Sequence, residues 1–142
     1  MKHGRVLAVL LAGMLASLPA FAGELAVTKA WSRSTPPGVT VGVAYLTLKN
    51  DTGKSDRLLK ITTPVAAKVQ VHRTEIQDGM ARMREVAVLH VDAGQSLEFE
   101  PGGMHLMLMG LKQPLVEGEA FELDLLFEVA GPRKLRVPVR RD

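Results

Sequence analysis

The chain has 142 residues, 46% of them hydrophobic and 23% charged, which is typical of one compact domain and excludes a disordered or fibrous chain. It contains no cysteine, so disulfides, thiolate zinc sites, blue-copper centres and cysteine nucleophiles are all excluded. The formal net charge is +3, and the amino-terminal segment supplies part of it.

Residues 1–22 have the pattern of a cleaved secretory signal peptide. Basic residues come first, an apolar run extends from Val6 to Leu18, and Ala20-Phe21-Ala22 offers small side chains where signal peptidase needs them. A membrane anchor is the alternative, but the run is shorter than the roughly 20 apolar residues that span a bilayer. No cysteine follows to carry a lipid. We therefore expect an exported chain that is not inserted in the membrane.

The mature chain, residues 23–142, is expected to form a single β-domain of 120 residues, which is 142 less the 22 of the signal peptide. Loss of Lys2 and Arg5 reduces the Lys and Arg count from 18 to 16 against 15 acidic residues, so the net charge falls to +1. A near-neutral chain with one Trp and one Tyr lacks the charge and the stacking residues of a nucleic-acid-binding protein. We expect no nucleic-acid partner.

After the signal peptide, the sequence consists of short runs rich in Val, Leu, Phe and Thr, separated by clusters of turn residues, which is the pattern of an all-β protein. No stretch keeps a helical apolar period over several turns. The predicted fold is therefore all-β, a sandwich or a Greek-key barrel. The predicted strands, in chain order, are Leu25–Ser32, Val43–Lys49, Arg57–Thr62, Lys68–Ile76, Met80–Leu89, Ser96–Glu100, His105–Met109, Ala120–Val129 and Lys134–Val139.

Methionine and histidine are clustered in the middle of the chain. The five methionines that remain after signal cleavage all lie between Met80 and Met109, and two of the three mature histidines lie in or beside this window. Methionine is ordinarily a flexible filler of apolar cores, so a Met-rich core is one interpretation of the cluster. Its combination with histidine favours a second interpretation, a metal site.

A predicted hairpin brings one histidine and one methionine to the same face of a sheet. If Asp78 and Gly79 form a two-residue type I′ turn, Gln77 pairs with Met80, and the residue numbers of every opposing pair in the hairpin add up to 157. His72 and Met83 are then diagonal neighbours, about 7 to 8 Å apart at Cα. Any hairpin register in which the residue numbers of opposing pairs add up to an odd number keeps the two side chains on one face. A register with an even sum places them on opposite faces.

The strand that contains His105 and Met107 supplies two more side chains on one face, because side chains alternate along a strand with period two. The sequence thus permits a constellation of four ligands, His72, Met83, His105 and Met107. Thioether sulfur is soft and uncharged, so it suits Cu(I), whereas Zn²⁺ and Cu²⁺ gain more from thiolate, carboxylate or nitrogen ligands. Methionine also forms no disulfide, so the site stays usable in an oxidising compartment. We expect one Cu(I) per chain.

The spacing of these residues resembles that of a known family of copper proteins. His72, Met83, His105 and Met107 are separated by 10, 21 and 1 residues. This spacing, together with the segment Pro101–Leu111 around His-x-Met, resembles the motif of the PCuAC family of periplasmic copper chaperones. The resemblance extends from Trp31 to Val139 and thus covers most of the mature chain.

The resemblance implies a cupredoxin-like β-barrel that carries Cu(I) in the periplasm and helps to supply copper to a cytochrome oxidase. The implied partners are the apo copper subunit of the oxidase, with its CuA centre, and Sco-type copper proteins. We expect a monomer that binds and delivers copper and is not an enzyme, because blue-copper electron carriers need a cysteine and no Gly-x-Ser-x-Gly nucleophile motif is present. Two other functions stay open, periplasmic copper sequestration or resistance, and a non-metal β-sandwich binding domain with a Met-rich core.

Several residues near the four predicted ligands are given other roles. Trp31 is predicted to be a core aromatic residue rather than a lid over the metal. Alternation points Arg73, Arg82 and Arg84 away from the metal-facing side chains or onto their rim, where we expect them to help dock an acidic partner.

Overall fold

The computed structural model describes residues 23–141, and the predicted signal peptide lies outside them. This part of the chain contains ten strands and no helix, which confirms the all-β prediction. The strands are β1 Leu25–Arg33, β2 Val41–Asn50, β3 Asp56–Thr62, β4 Ala66–Gln77, β5 Met80–Glu85, β6 Leu89–Val91, β7 Ser96–Glu98, β8 Met104–Leu111, β9 Ala120–Phe127 and β10 Gly131–Arg140.

The strands form a mixed sheet that folds into a sandwich. Their order is β5-β4-β8-β2-β1-β10-β9-β3-β6, and β7 pairs with β2 beside this path. β1 and β10 run parallel and connect the two halves of the sandwich through the pairs Ser32–Val139 and Arg33–Arg140. Apolar side chains of both halves fill the core, among them the completely buried Leu48, Leu106, Leu108, Leu123 and Val137.

One predicted strand, Met80–Leu89, is wrong because the chain changes sheets within it. β5 ends at Glu85 and pairs with β4, whereas β6 begins at Leu89 and pairs with β3 in the other half of the sandwich. The amide of Val86 still donates to the carbonyl of Val71 at 2.8 Å, and the chain bends at residues 87 and 88. Alternation of apolar and polar residues does not reveal such a corner. The other eight predicted strands are present, with bounds that differ by at most three residues.

The hairpin of β4 and β5 has the predicted turn and the predicted register. Asp78 and Gly79 have φ values of 51° and 74°, and a type I′ turn requires positive φ at both central residues. Thr74 pairs with Met83 in a register whose opposing positions add up to 157. The odd register is therefore confirmed, and it places Met83 on the same face as His72.

β8 lies on the other side of β4, so the three strands that carry the predicted ligands are adjacent in the sheet. His72 pairs directly with His105, and Gln70 pairs with Met107. β4 uses both of its edges, one for β5 and one for β8. The face that carries the predicted ligands is therefore continuous across the three strands.

Candidate metal centre

The candidate site lies on the outer face of the sheet formed by β5, β4 and β8. On β8, Leu106 and Leu108 point into the core and expose no surface. Side chains alternate along a strand, so His105 and Met107 point to the outer face. On β4, Val71 is buried in the core. Because side chains alternate, the next side chain, His72, points to the outer face. Core packing thus orients the site residues.

The two imidazole rings face each other across β4 and β8. Their centroids are 5.8 Å apart and their planes are inclined by 51°. His105 is only 4% exposed, and His72 is half-buried. Among the described residues, Nδ1 of His72 and Nε2 of His105 are buried and have no hydrogen-bond partner. Buried polar atoms in proteins almost always have a hydrogen-bond partner. Two buried nitrogens without one, on rings that face each other, therefore indicate a ligand-binding site.

The tautomer of His105 follows from its contact with the backbone. Nδ1 of His105 lies 3.1 Å from the carbonyl oxygen of Gly103. A carbonyl oxygen can only accept, so Nδ1 carries the proton and donates to it. The lone pair is then at Nε2, which is the buried nitrogen without a partner.

The tautomer of His72 follows from a chain of two hydrogen bonds. The amide nitrogen Nε2 of Gln70 donates to Oε1 of Glu85 at 2.8 Å, and Oε1 of Gln70 lies 3.1 Å from Nε2 of His72. The carboxylate only accepts, which sets the orientation of the Gln70 amide. Nε2 of His72 is then the donor, and its lone pair is at Nδ1. Both rings therefore offer a neutral nitrogen lone pair at the unpartnered atom.

Burial lowers the pKa of His72 below the ordinary histidine value, and the neighbouring His105 lowers it further, while the carboxylate of Glu85 raises it. The lowering effects prevail, so the ring is neutral at neutral pH. A metal ion can bind imidazole nitrogen only in this neutral form.

The two predicted methionine ligands flank the imidazoles on the same face. Met107 is half-buried and pairs with Gln70 on β4 and with Val43 on β2. Met83 pairs with Thr74, and it is 61% exposed. An exposed methionine is not a core filler, so packing does not explain its position. Two imidazoles and two thioethers make a donor set that suits a soft monovalent cation.

The remaining methionines and Trp31 take different positions. Met109 shares the outer face with Met107, whereas Met104 is 9% exposed and points to the core. Met80 pairs with Gln77 and lies on the reverse face of the hairpin. Trp31 is half-buried at the margin of the core, where it packs on Tyr45 with a centroid distance of 4.7 Å. One strand, β2, lies between its strand and β8.

The three arginines near the site lie on the reverse face of the hairpin, as alternation predicts. Arg73 pairs with Arg84 across β4 and β5, and Arg82 pairs with Glu75. Arg84 also forms an ion pair of 3.3 Å with Glu75. The metal-facing side of the hairpin therefore does not carry these positive charges.

Sequence analysis missed two residues of the site, Gln70 and Glu85. Both look like ordinary solvent-facing polar residues, because a glutamine or glutamate in an exposed strand carries no signal of its own. Their positions nevertheless follow from the predicted register. Gln70 lies two residues before His72 on the same strand face, and residue 85 is the direct partner of residue 72 when opposing positions add up to 157.

Within residues 23–141, no helix is both long enough and apolar enough to cross a lipid bilayer.

Comparisons with known proteins agree with this fold. The profile of the LpqE-like family of lipoproteins matches residues 25–139. A lipoprotein of Leifsonia xyli subsp. xyli, Lxx21020, is 34% identical over 115 residues, which cover 80% of this chain and 68% of the relative. The uncharacterized protein RP573 of Rickettsia prowazekii is 28% identical over 116 residues, and the match spans 64% of its length.

Two solved structures have the same architecture. The Cu(I) form of DR1885 from Deinococcus radiodurans superimposes with a TM-score of 0.66 at 31% identity, over 85% of this chain and 83% of that one. The copper-bound PCuAC domain of PmoF2 gives a TM-score of 0.72 over 85% of this chain and 96% of that one. Its identity of 22% shows a shared fold. The chain therefore belongs to the LpqE-like family, in agreement with the resemblance to PCuAC proteins found in its sequence.

Proposed function

We propose that this protein is a periplasmic metallochaperone that binds one Cu(I) per chain and delivers it for the assembly of cytochrome c oxidase. The ligands are His72, Met83, His105 and Met107. The observation that carries the proposal is the pair of facing imidazoles, each with a buried, unpartnered nitrogen, beside two thioethers on the same face. The Cu(I) form of DR1885 and the copper-bound form of the PmoF2 domain support the proposal.

The donor set favours Cu(I) that can be passed on. All four ligands are neutral, so they add no net charge attraction that would hold the ion. Met83 lies on β5, which is the edge strand of the sheet, and it is the exposed ligand. An incoming thiolate or imidazole of a partner can therefore replace Met83 first, while the more buried imidazoles still hold the ion. This stepwise exchange is binding and transfer, without catalytic turnover.

The proposed partners are the apo copper subunit of the oxidase, at its CuA centre, and Sco-type copper proteins. The periplasmic location is supported by the signal pattern of residues 1–22 and by the description of the matched family as lipoproteins. We propose that the protein acts as a monomer.

Copper binding is tested by anaerobic Cu(I) titration against a competing chelator, followed by X-ray absorption of the loaded protein. We expect one Cu(I) and a first shell that contains both sulfur and nitrogen. His72→Ala should weaken binding sharply, whereas the control His90→Ala should not, because His90 is an exposed residue of β6. A first shell of nitrogen and oxygen alone contradicts the ligand assignment. Absence of binding would favour the non-metal β-domain.

Delivery is tested separately from binding. Copper-loaded protein is mixed with an apo CuA domain, the two are separated, and the copper in each is measured over time. Transfer to the domain at a rate above that of release to buffer is expected. Retention of the ion in the presence of excess acceptor would instead favour sequestration, which uses the same site.

A further inference from the structure

Two side chains, Glu85 and Gln70, form a hydrogen-bonded row that ends on the imidazole of His72. Glu85 accepts from the amide of Gln70 at 2.8 Å, and the carbonyl of Gln70 faces Nε2 of His72 at 3.1 Å. Strand geometry holds the row together. Gln70 and His72 lie two residues apart on one face of β4, and Glu85 is the direct partner of His72 on β5. Gln70 is also the direct partner of Met107 on β8.

An imidazole ring without a fixed partner has two tautomers and two ring orientations. Only the tautomer with the proton on Nε2 leaves a lone pair at Nδ1, the buried nitrogen next to His105. A glutamine alone does not decide between the tautomers, because rotation of its amide by 180° presents either an acceptor or a donor. The carboxylate of Glu85 removes this ambiguity, since it accepts only and so holds the NH₂ group of Gln70 on its own side.

We infer that Gln70 is a positioning residue of the copper site, which fixes the tautomer and orientation of His72, and that Glu85 fixes the orientation of Gln70. The inference rests on the proposed function and adds to it a hydrogen-bonded row outside the four ligands. In metal sites, partners that orient a ligand histidine typically change metal affinity by about 10- to 100-fold when they are removed. Glu85 also places a negative charge near a site whose ligands are all neutral, which favours a bound cation.

The first test compares Gln70→Leu with Gln77→Leu, a matched change on the same strand. Gln77 is exposed and pairs with Met80 at the end of the hairpin, on the reverse face. We expect Gln70→Leu to lower Cu(I) affinity by about 10- to 100-fold, and Gln77→Leu to leave it unchanged. Neither substitution introduces a new metal ligand.

The second test reads the tautomer in the metal-free protein. ¹⁵N-resolved NMR of the imidazole nitrogens, recorded about two units above the ordinary histidine pKa of about 6.5, reports which nitrogen of His72 carries the proton. We expect only the Nε2–H tautomer in the wild-type and Gln77→Leu proteins, and a mixture of tautomers in Gln70→Leu. A merely structural role of Gln70 would not change this spectrum.

The role of Glu85 is tested by two substitutions that differ in one property. Glu85→Gln replaces the carboxylate, which only accepts, by an amide that can accept or donate, so we expect it to lose the single Nε2–H tautomer of His72 although a hydrogen bond to Gln70 can still form. Glu85→Leu removes the acceptor and should behave like Gln70→Leu. If Gln70→Leu does not fold, this pair of variants decides the question, because residue 85 is exposed on β5.

The inference is overturned if Gln70→Leu and Glu85→Leu keep a single Nε2–H tautomer and change Cu(I) affinity by less than about threefold, well below the range for such partners. Failure of the proposed function has a different signature. In that case the wild-type protein binds no Cu(I), while the NMR measurement on the metal-free protein still decides whether the row sets the tautomer of His72.

Discussion

Neighbouring methionines on β8 have different surroundings, although their side chains have the same chemistry. Met104 is 9% exposed and points to the core, where the guanidinium of Arg73 lies 3.6 Å from its sulfur. Met107 is half-buried on the outer face, next to Gln70 and the imidazoles. Strand alternation thus separates a packing methionine from a candidate ligand, and the two should respond differently to truncation.

We predict that Met104→Ala lowers the free energy of unfolding of the apo protein by about 2 to 5 kcal/mol, with little change in Cu(I) affinity. Met107→Ala should weaken Cu(I) binding sharply and affect the apo fold less. Met109→Ala should be intermediate, because Met109 shares the face of Met107. Chemical unfolding of the apo proteins and competitive Cu(I) titration measure both quantities. A folded Met104→Ala protein without copper binding would contradict the scheme.

Asp56 is a buried carboxylate with a structural task on β3, outside the candidate site. It is 2% exposed, and it accepts from the amides of Arg57, Val129 and Ala130 at 2.7, 2.9 and 2.8 Å. Burial raises its pKa, but these backbone hydrogen bonds lower it by more, so the net pKa lies below the ordinary value. The carboxylate thereby fixes the turn that connects β9 and β10.

We predict that the stabilisation by Asp56 is complete above about pH 4, the pKa of an unfolded aspartate. It should be lost as the pH falls through the lower folded pKa. Asp56→Asn should lower the unfolding free energy at pH 7 by about 1 to 3 kcal/mol, because a buried amide proton of the turn loses its acceptor. Denaturant titrations between pH 7 and pH 2 measure this, and the difference from wild type should shrink at the acid end. The control is Asp51→Asn. Asp51 forms an exposed ion pair with Lys49, in which Oδ2 and Nζ are 3.4 Å apart, so its loss should change the unfolding free energy by less than about 1 kcal/mol.

At the scale of single elements, the β4–β5 hairpin determines where Met83 lies. Its turn requires a residue with positive φ at position 79, where Gly79 has a φ of 74°. No atom lies within 4 Å of a Cβ built there. A side chain at this position therefore meets no clash, and its effect comes from the backbone alone. The turn offers a way to disturb the hairpin without touching the ligands.

We predict that Gly79→Val destabilises the hairpin by about 1 to 2 kcal/mol through left-handed backbone strain. Since Met83 is held by this hairpin, Cu(I) affinity should fall by up to about tenfold, the equivalent of about 1.4 kcal/mol. Gly53→Val is the matched control, because Gly53 has a φ of 78° and open space around its Cβ in a loop away from the site. Equal loss of Cu(I) affinity in both variants would show that the turn does not act through Met83.

The hairpin could be predicted from sequence because Asp78 and Gly79 permit one turn type, and that turn sets the register of both strands. Local patterns carry no comparable information about which strands meet in space. The corner at Val86 was missed for this reason, and so was the place of β8 beside β4, which joins Gln70 to Met107. The bulge in β1, where Lys29 has a φ of 54°, likewise has no signal in a sequence of alternating residues.

At the scale of the whole molecule, the core and the candidate site occupy opposite faces of the same strands. Val71, Leu106 and Leu108 fill the core from one face of β4 and β8, with 6%, 0% and 0% exposure. The outer face of these strands carries the site. Packing of the core therefore does not require the metal, in contrast to zinc-finger domains, which are unfolded without their ion. A carrier that stays folded after it releases its cargo can bind copper again.

We predict that removal of Cu(I) by a chelator leaves the amide exchange of β2, β9 and β8 unchanged and accelerates exchange in the β4–β5 hairpin. The hairpin extends past β8 beyond Thr74, whose amide donates to the carbonyl of Gly103 at 3.3 Å. In the loaded protein we expect ligation of Met83 to tie this extension to the sandwich.

Cu(I) should also stabilise the whole protein. At a free Cu(I) concentration of about 100 times the dissociation constant, the unfolding free energy should rise by about 2.7 kcal/mol. Met83→Leu should abolish the slowing of amide exchange in the hairpin by Cu(I). Loss of exchange protection throughout the wild-type apo protein would contradict a core that is independent of the metal.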